Sequence, residues 1–118
     1  MSECLFCRIV DGEIPADIVS SNDAALAFRD VNPVAPSHLL VIPRSHQPNL
    51  VAVAEAEPDT LIAMLRLAGE VAAGEGIAGD GQDDGYRLVA NTGPAAHQTV
   101  FHAHLHVLGG RPMGWPPG

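Results

Sequence analysis

The sequence predicts a single domain of mixed α and β structure, and three observations carry that expectation. Residues between Glu57 and Gly74 repeat apolar side chains with a helical period, His38 to Pro43 is a nearly continuous apolar run of strand length, and His102 to Leu108 alternates polar with apolar residues. At 118 residues the chain has the length of one domain, spanning residues 1–118, and can bury one sizeable core without several disulfides. Hydrophobic residues make up 47% and charged residues 17%, which is ordinary globular usage and far from the composition of disorder.

Taken in order, Leu5 to Val10 is at most a short N-terminal helix, because Ile14-Pro15 pushes the chain out of the helical region. Asp17 to Val19 and Ala24 to Arg29 flank the turn cluster Ser20-Ser-Asn-Asp23 and predict a hairpin. Pro33 and Pro36 make 31–37 a loop. The run His38 to Pro43 then reads as a strand covered on both faces, with His38 at its mouth. Leu61, Ile62, Met64, Leu65, Ala68 and Ala72 give the 3.6-residue period of one long helix, and Pro58 fits its first turn. Glycine and acid dominate 73–85, which predicts an exposed flexible loop without chemistry. Tyr86 to Asn91 and His102 to Leu108 are the last two strands, joined by a loop holding Gly93, Pro94, His97 and Thr99. No internal repeat or domain boundary interrupts the chain.

Six Lys and Arg stand against fourteen Asp and Glu, a net charge of -8 that repels polyanions and lacks the basic stripe that DNA or RNA requires. Nucleic acid is therefore not an expected partner, whereas a single small phosphate can still be held by backbone amides, neutral imidazoles and hydroxyls. The chain opens without a basic segment followed by an apolar run, and no apolar stretch approaches the roughly 18 residues of a membrane span, so a cytoplasmic, membrane-free protein is expected. Cys4 and Cys7 would close too short a loop to staple a fold, and the pair reads as either a metal clip or two inert thiols.

The last strand carries the densest chemistry. Successive strand side chains alternate faces, so His102, His104 and His106 line one face while Ala103, Leu105 and Val107 line the core. Three imidazoles in a row contribute little as packing and can act as nucleophile, proton shuttle or metal ligand near neutral pH. A single metal held by all three is awkward, since first and third lie about 13 Å apart at ~3.3 Å per residue.

On these residues the chain resembles the histidine triad (HIT) superfamily, whose motif is His-x-His-x-His followed by two apolar residues, here His102-Ala-His104-Leu-His106-Val-Leu108. Gly12-Glu-Ile-Pro15, Ala27-Phe-Arg-Asp30, Ala35-Pro-Ser-His38, Val41-Ile-Pro43, Gln98-Thr-Val-Phe-His102, Gly109-Gly-Arg111 and Trp115-Pro-Pro-Gly118 look like landmarks of its Hint branch of nucleoside phosphoramidases. The resemblance covers nearly the whole chain. It implies an α+β fold, a five-stranded antiparallel sheet packed against one long helix plus a short N-terminal helix, and a homodimer that joins two sheets into one.

It also implies a hydrolase of nucleoside 5'-phosphoramidates with purine preference. His104 would attack the α-phosphorus and form a nucleotidyl-imidazole that water hydrolyses; imidazole is both a good nucleophile and a good leaving group. His38 and His102 would form a hydrogen-bonded chain fixing the tautomer of His104, and His106 would donate to the nonbridging phosphate oxygens. Asn91 would help to hold phosphate, and Thr99 stands where the branch has a serine that serves the leaving group. Asp30 would accept both ribose hydroxyls, or simply form a turn before the proline loop. Phe6, Ile9, Ile14, Phe28, Val31 and Leu40 would form the base pocket, or be core. The apolar, proline-stiffened tail around Trp115 would reach toward the partner's active site.

In zinc-carrying HIT proteins and in the related galactose-1-phosphate uridylyltransferases the CxxC pair looks to be completed by a histidine after the Val-Ile-Pro strand and by the first histidine of the triad. Carried over, the zinc ligands are Cys4, Cys7, His46 and His102, with zinc orienting the His102 ring beside His104. No organic cofactor is implied. His97 replaces what is usually a glycine, and either alters the loop near the leaving group or is a surface residue without a role. Two other readings stay open: a dinucleoside polyphosphate hydrolase, and a noncatalytic nucleotide-binding module.

Overall fold

The computed structural model describes residues 3–118. Helix α1 (Leu5–Val10) is followed by strands β1 (Ile18–Ser21), β2 (Ala25–Arg29) and β3 (Ser37–Pro43). Helices α2 (Leu50–Ala56) and α3 (Pro58–Gly74) come next, then β4 (Tyr86–Val89), a single 3-10 turn (Pro94–Ala96) and β5 (Leu105–Gly109). The strands form one antiparallel sheet in the order β1-β2-β3-β5-β4, which is the α+β architecture expected.

The period-two alternation of β2 and β3 divides the core. Ala25, Ala27, Leu39 and Val41 face α2 and α3, where Val53, Met64, Leu67, Ala68 and Val71 cover them. Leu26, Phe28, Leu40 and Ile42 face the opposite side, where α1 lays Phe6 and Ile9 over them. Every residue of β3 is buried, as its continuous apolar sequence requires. Pairing Leu40 with His106 and His38 with Leu108 puts both histidines on the α1 side of the sheet. The chemistry-bearing face is thus the face that the thin helix α1 covers only in part.

Helix α3 starts on Pro58, where proline's missing N–H costs nothing, and its far end is tied to the sheet by Glu75. That carboxylate takes both guanidinium nitrogens of Arg29 at 2.8 and 2.9 Å and the Ser37 hydroxyl at 3.1 Å. At the end of β5, Gly109 is required: a Cβ there would lie 2.5 Å from Ile77 Cδ1 and 2.8 Å from the Gly85 carbonyl oxygen.

The structure departs from expectation in four places. Strand β5 begins at Leu105 and not at His102, because the main chain before it turns away from the ladder: the Ala103 N–H donates to Gln47 O at 2.7 Å. The side chains nevertheless keep alternating, with Ala103, Leu105 and Val107 all in the core. Strand β4 likewise ends at Val89, short of Asn91. Helix α2 was not expected, although Asn49 caps it by accepting the Ala52 N–H at 2.9 Å. Finally, the glycine-rich segment is not merely an exposed loop. Ile77 is buried in the core, and the Asp84 carboxylate fastens the Gly79 and Gly81 amides at 2.8 and 2.7 Å.

Candidate functional site: two imidazole clusters on one segment

Residues 102–106 pass between two clusters of side chains, and main-chain groups decide what each imidazole can do. A carbonyl oxygen only accepts a hydrogen bond and an amide N–H only donates, so a ring nitrogen facing one of them has its protonation assigned.

The first cluster is built on His102, whose ring is fully buried. Its Nε2 lies 3.0 Å from Pro43 O and must carry the proton, leaving the Nδ1 lone pair pointing the other way. There it meets Cys4 Sγ at 3.3 Å, Cys7 Sγ at 3.5 Å and His46 Nδ1 at 3.2 Å, with Cys7 Sγ and His46 Nδ1 3.4 Å apart. The four donor atoms all lie within 4.8 Å of one another. Tetrahedral zinc, with bonds of ~2.3 Å to sulfur and ~2.1 Å to nitrogen, sets its ligand atoms about 3.4–3.8 Å apart, so these four fit one ion after small relaxation. Local sequence explains the arrangement: Cys4 is the cap of α1, its sulfur accepting the Cys7 N–H at 3.4 Å, and the first helical turn brings Cys7 to its side. All four residues assigned to zinc by the sequence resemblance are brought together.

The second cluster joins His38, His106 and Asp30. The Val34 N–H donates to His38 Nδ1 at 3.1 Å, which puts the His38 proton on Nε2. That N–H faces His106 Nδ1 at 2.9 Å, so His106 in turn holds its own proton on Nε2. Asp30 Oδ2 stands 3.4 Å from His38 Nε2, and its other oxygen accepts the Asn32 N–H at 2.8 Å. Three potential ligand atoms therefore lie close together here too. A metal is disfavoured, because the Val34 amide already uses the one lone pair that a neutral His38 would have to free for ligation through Nε2. This cluster is wired for protons.

His104 stands between them. Its Nδ1 lies 2.7 Å from the His102 carbonyl oxygen, so the proton is on Nδ1 and Nε2 keeps its lone pair. The Phe6 ring packs nearly perpendicular to the His104 ring with their centres 5.1 Å apart, and the His106 ring centre also lies at 5.1 Å. Burial lowers the pKa of His38, His102 and His104, in each case against a weaker opposing hydrogen bond or carboxylate. His106 is pushed down to about 4, first by burial and then by His104 and His38. These four imidazoles are therefore neutral at pH 7, with the lone pair of His104 and the proton of His106 both on Nε2.

This wiring corrects one expectation. His38 does not reach the ring of His104; it serves His106, and it is the main chain of His102, not its ring, that fixes the tautomer of His104. The remaining expected residues are placed as follows. Phe6, Ile9, Phe28 and Leu40 form a single apolar cluster with Ile14 packed against it, whereas Val31 lies outside it and is 90% exposed. Asp30 does form a turn, and keeps one oxygen toward His38. Thr99 is exposed and Asn91 half-buried. Trp115 is 84% exposed with the Arg87 guanidinium 5.9 Å from its ring centre. His97 adopts the left-handed conformation, φ 66°, as glycine would.

The residues that sequence reasoning left without a role are those that act through amides and carbonyls: Val34, Pro43, Gln47 and Gln98. Gln98 is buried, accepts the Gly93 N–H at 2.9 Å and donates to Pro48 O at 2.7 Å, which fixes the loop carrying His97 and Thr99. A glutamine inside an otherwise apolar and small-residue stretch was the available signal.

The comparisons agree with this architecture. Residues 11–113 match the model of the HIT domain family. An uncharacterised HIT-like protein of Synechococcus elongatus is 52% identical over all of both chains, and a 14 kDa zinc-binding protein of Zea mays is 44% identical over 99% of this chain and 89% of its own. The crystal structure of a HIT family hydrolase from Legionella pneumophila superposes with a TM-score of 0.90 at 46% identity, covering 98% of this chain and all of that one. With the triad, the sheet order and the family match in agreement, the chain belongs to the HIT domain family.

Proposed function

We propose that the protein hydrolyses nucleoside 5'-phosphoramidates, purine nucleotides above all, through a covalent nucleotidyl-histidine on His104. One observation carries the reading: the lone pair of His104 Nε2 and the N–H of His106 Nε2 belong to rings 5.1 Å apart, the first fixed by the His102 carbonyl and the second, through the His38 ring, by the Val34 amide. A nucleotide-binding site needs donors; it does not need a nucleophile held in one tautomer.

In the first step His104 Nε2 attacks the α-phosphorus, an N–P bond forms, and the P–N bond to the leaving amine breaks as that nitrogen takes a proton from the Thr99 hydroxyl, which regains one from solvent water. The His106 Nε2–H donates to a nonbridging oxygen, where charge builds in the transition state. Asn91 holds the phosphate from the side and the Thr99 hydroxyl serves the leaving group. In the second step water attacks the same phosphorus and gives up a proton to solvent, the bond to Nε2 breaks with the electron pair returning to that nitrogen, and the nucleoside monophosphate departs. Asp30 binds the ribose hydroxyls with the oxygen not used by Asn32, and the rim of the cluster around Phe6, Ile14, Phe28 and Leu40, with Val31 folding over, receives the base.

Cys4, Cys7, His46 and His102 would hold zinc, and the similarity to the zinc-binding maize protein and the donor geometry support that assignment. When bound, the ion supplies rigidity and not Lewis acidity, since all four ligand positions are protein atoms. Reduced thiols as ligands fit a cytoplasmic protein. Among the described residues no helix is long and apolar enough to cross a membrane.

A second copy of the chain would pair at β4, the sheet edge next to β5. A groove of about 600 Å³ runs beside it, lined by Arg87, Leu88, Leu108, Met113 and Trp115, and the exposed tail would leave it toward the partner's histidines. The test of the reading is incubation with adenosine 5'-phosphoramidate and, separately, with diadenosine polyphosphates, followed by chromatography. Release of AMP from the first at a much higher kcat/KM is expected. Preference for the second would move the protein to the other hydrolase class, and turnover of neither would leave a binding module.

A further inference from the structure

The end of β3 and the segment after it touch the thiol cluster, the residue between His102 and His104, and the glutamine that fixes the loop carrying Thr99. Pro43 O accepts from the His102 ring, His46 contributes a donor atom to the thiol cluster, Gln47 O accepts the Ala103 N–H at 2.7 Å, and Pro48 O accepts from Gln98. Residues 44–48 lie between β3 and α2 and have no strand or helix to hold them, so side-chain contacts must help to fix their position.

The geometry points to Glu57 as the residue that does so: a carboxylate remote from substrate that positions both the metal ligands and the nucleophile by clamping residues 45–47. The Ser45 hydroxyl lies 2.9 and 2.7 Å from the two Glu57 oxygens and donates to them, and Gln47 Nε2 donates to Glu57 Oε2 at 3.2 Å. These two partners flank His46 in sequence. Holding both of its neighbours fixes where the His46 ring emerges, and holding Gln47 fixes the carbonyl that anchors Ala103, the residue between His102 and His104.

Glu57 is well placed for this task. It sits between α2 and α3, its own N–H donating to Val53 O at 2.7 Å and its carbonyl accepting from Thr60 at 2.9 Å and Leu61 at 3.2 Å. Its backbone is thus fixed from both helices. Its negative charge lies at the N-terminus of the 17-residue helix α3, where the helix dipole favours it. A serine and a glutamine around a histidine would otherwise be ordinary loop residues.

The inference rests on the zinc and nucleophile assignments above, and its test separates from theirs. Glu57→Ala, Glu57→Gln and the control Glu55→Ala would be compared by Co(II) titration, by exchange of the Ala103 amide hydrogen, and by kcat and KM for adenosine 5'-phosphoramidate. Glu57→Ala should weaken Co(II) binding and lower kcat by about tenfold each, the usual size for a partner outside the ligand shell, and speed Ala103 exchange, with KM unchanged. Glu57→Gln keeps one acceptor oxygen and should recover most of each effect, while Glu55→Ala should match wild type. Should Glu57→Ala fail to fold, Ser45→Ala removes the hydroxyl from the other side and should move the same readouts in the same direction. A variant that lost thermal stability yet kept wild-type Co(II) affinity and Ala103 exchange would overturn the inference. An inactive wild type whose Co(II) affinity and Ala103 exchange still respond to Glu57→Ala would instead overturn the phosphoramidase reading alone and uphold this one.

Discussion

The two imidazole clusters lie on either side of His104 and each is built around a pair of histidines with acidic or thiol partners, yet they are suited to opposite tasks. In the cluster of Cys4, Cys7, His46 and His102, a main-chain carbonyl takes the proton side of the key ring and leaves a lone pair among three other donor atoms. In the cluster of Asp30, His38 and His106, a main-chain amide takes the lone-pair side and leaves an N–H to be passed on. One backbone group of each polarity separates a cluster whose donor atoms suit a metal from one whose rings suit passing a proton. Side-chain identity alone would have called both clusters potential metal sites.

The comparison breaks most visibly on metal removal. A ligand present at 1,000 times its Kd stabilises the folded state by about 4 kcal/mol. For a domain of this size that is roughly 15 °C in Tm. Chelation or Cys4→Ser should therefore lower Tm by about that amount, while the same chelation of His38→Ala should produce an equal drop. A Tm indifferent to chelator in the wild type would remove the first cluster's role.

The reverse substitution acts on turnover. His38→Ala leaves His106 free to place its proton on either nitrogen, so kcat should fall by about 100- to 1,000-fold, in the range seen for loss of one transition-state donor. Metal content, measured by atomic absorption, should stay at that of wild type. A fall in both together would mean that the clusters are one unit.

A smaller effect follows from protonation. His106 holds a pKa of about 4 against an ordinary value of 6.5, so in the unfolded chain it takes up its proton at higher pH than in the folded one. Its stabilising contribution is complete above pH 6.5 and is lost as the pH falls from there through 4. The nucleophile must likewise be neutral to keep its Nε2 lone pair, and burial holds the pKa of His104 below its ordinary value, so the acid limb of kcat should lie below pH 6.5. An acid limb at or above 6.5 would contradict the buried, neutral arrangement.

Much of this was legible in the sequence because it depends on periodicity. The alternation in His102 to Leu108 survives in the structure even where the strand itself does not, and the apolar run of β3 is buried on both faces as its composition demands. The long helix begins on Pro58 for the reason proline gives. Partners that are main-chain atoms were not legible. Nothing in the letters of the sequence says that Val34 offers its amide to His38, or that His102 uses its carbonyl toward one neighbour and its ring toward another. For the same reason His38 was expected to act on His104. Ile77, isolated among glycines and acids, was read with its surroundings; a single large apolar residue in such a stretch was the sign of an anchor. His97 shows the converse: a residue that departs from glycine while keeping the glycine conformation, at φ 66°.

The account stands most directly on His104. Rapid mixing with adenosine 5'-phosphoramidate, acid-free quenching and peptide mass spectrometry should find a nucleotidyl group on the peptide containing residues 102–106 of the wild type, labile in acid as a phosphorus–imidazole bond is. His104→Ala should show no such label and no turnover, yet still bind AMP, since Asp30 and the apolar cluster are untouched. A His104→Ala variant that kept substantial turnover, or a label that mapped to another residue, would contradict the covalent mechanism.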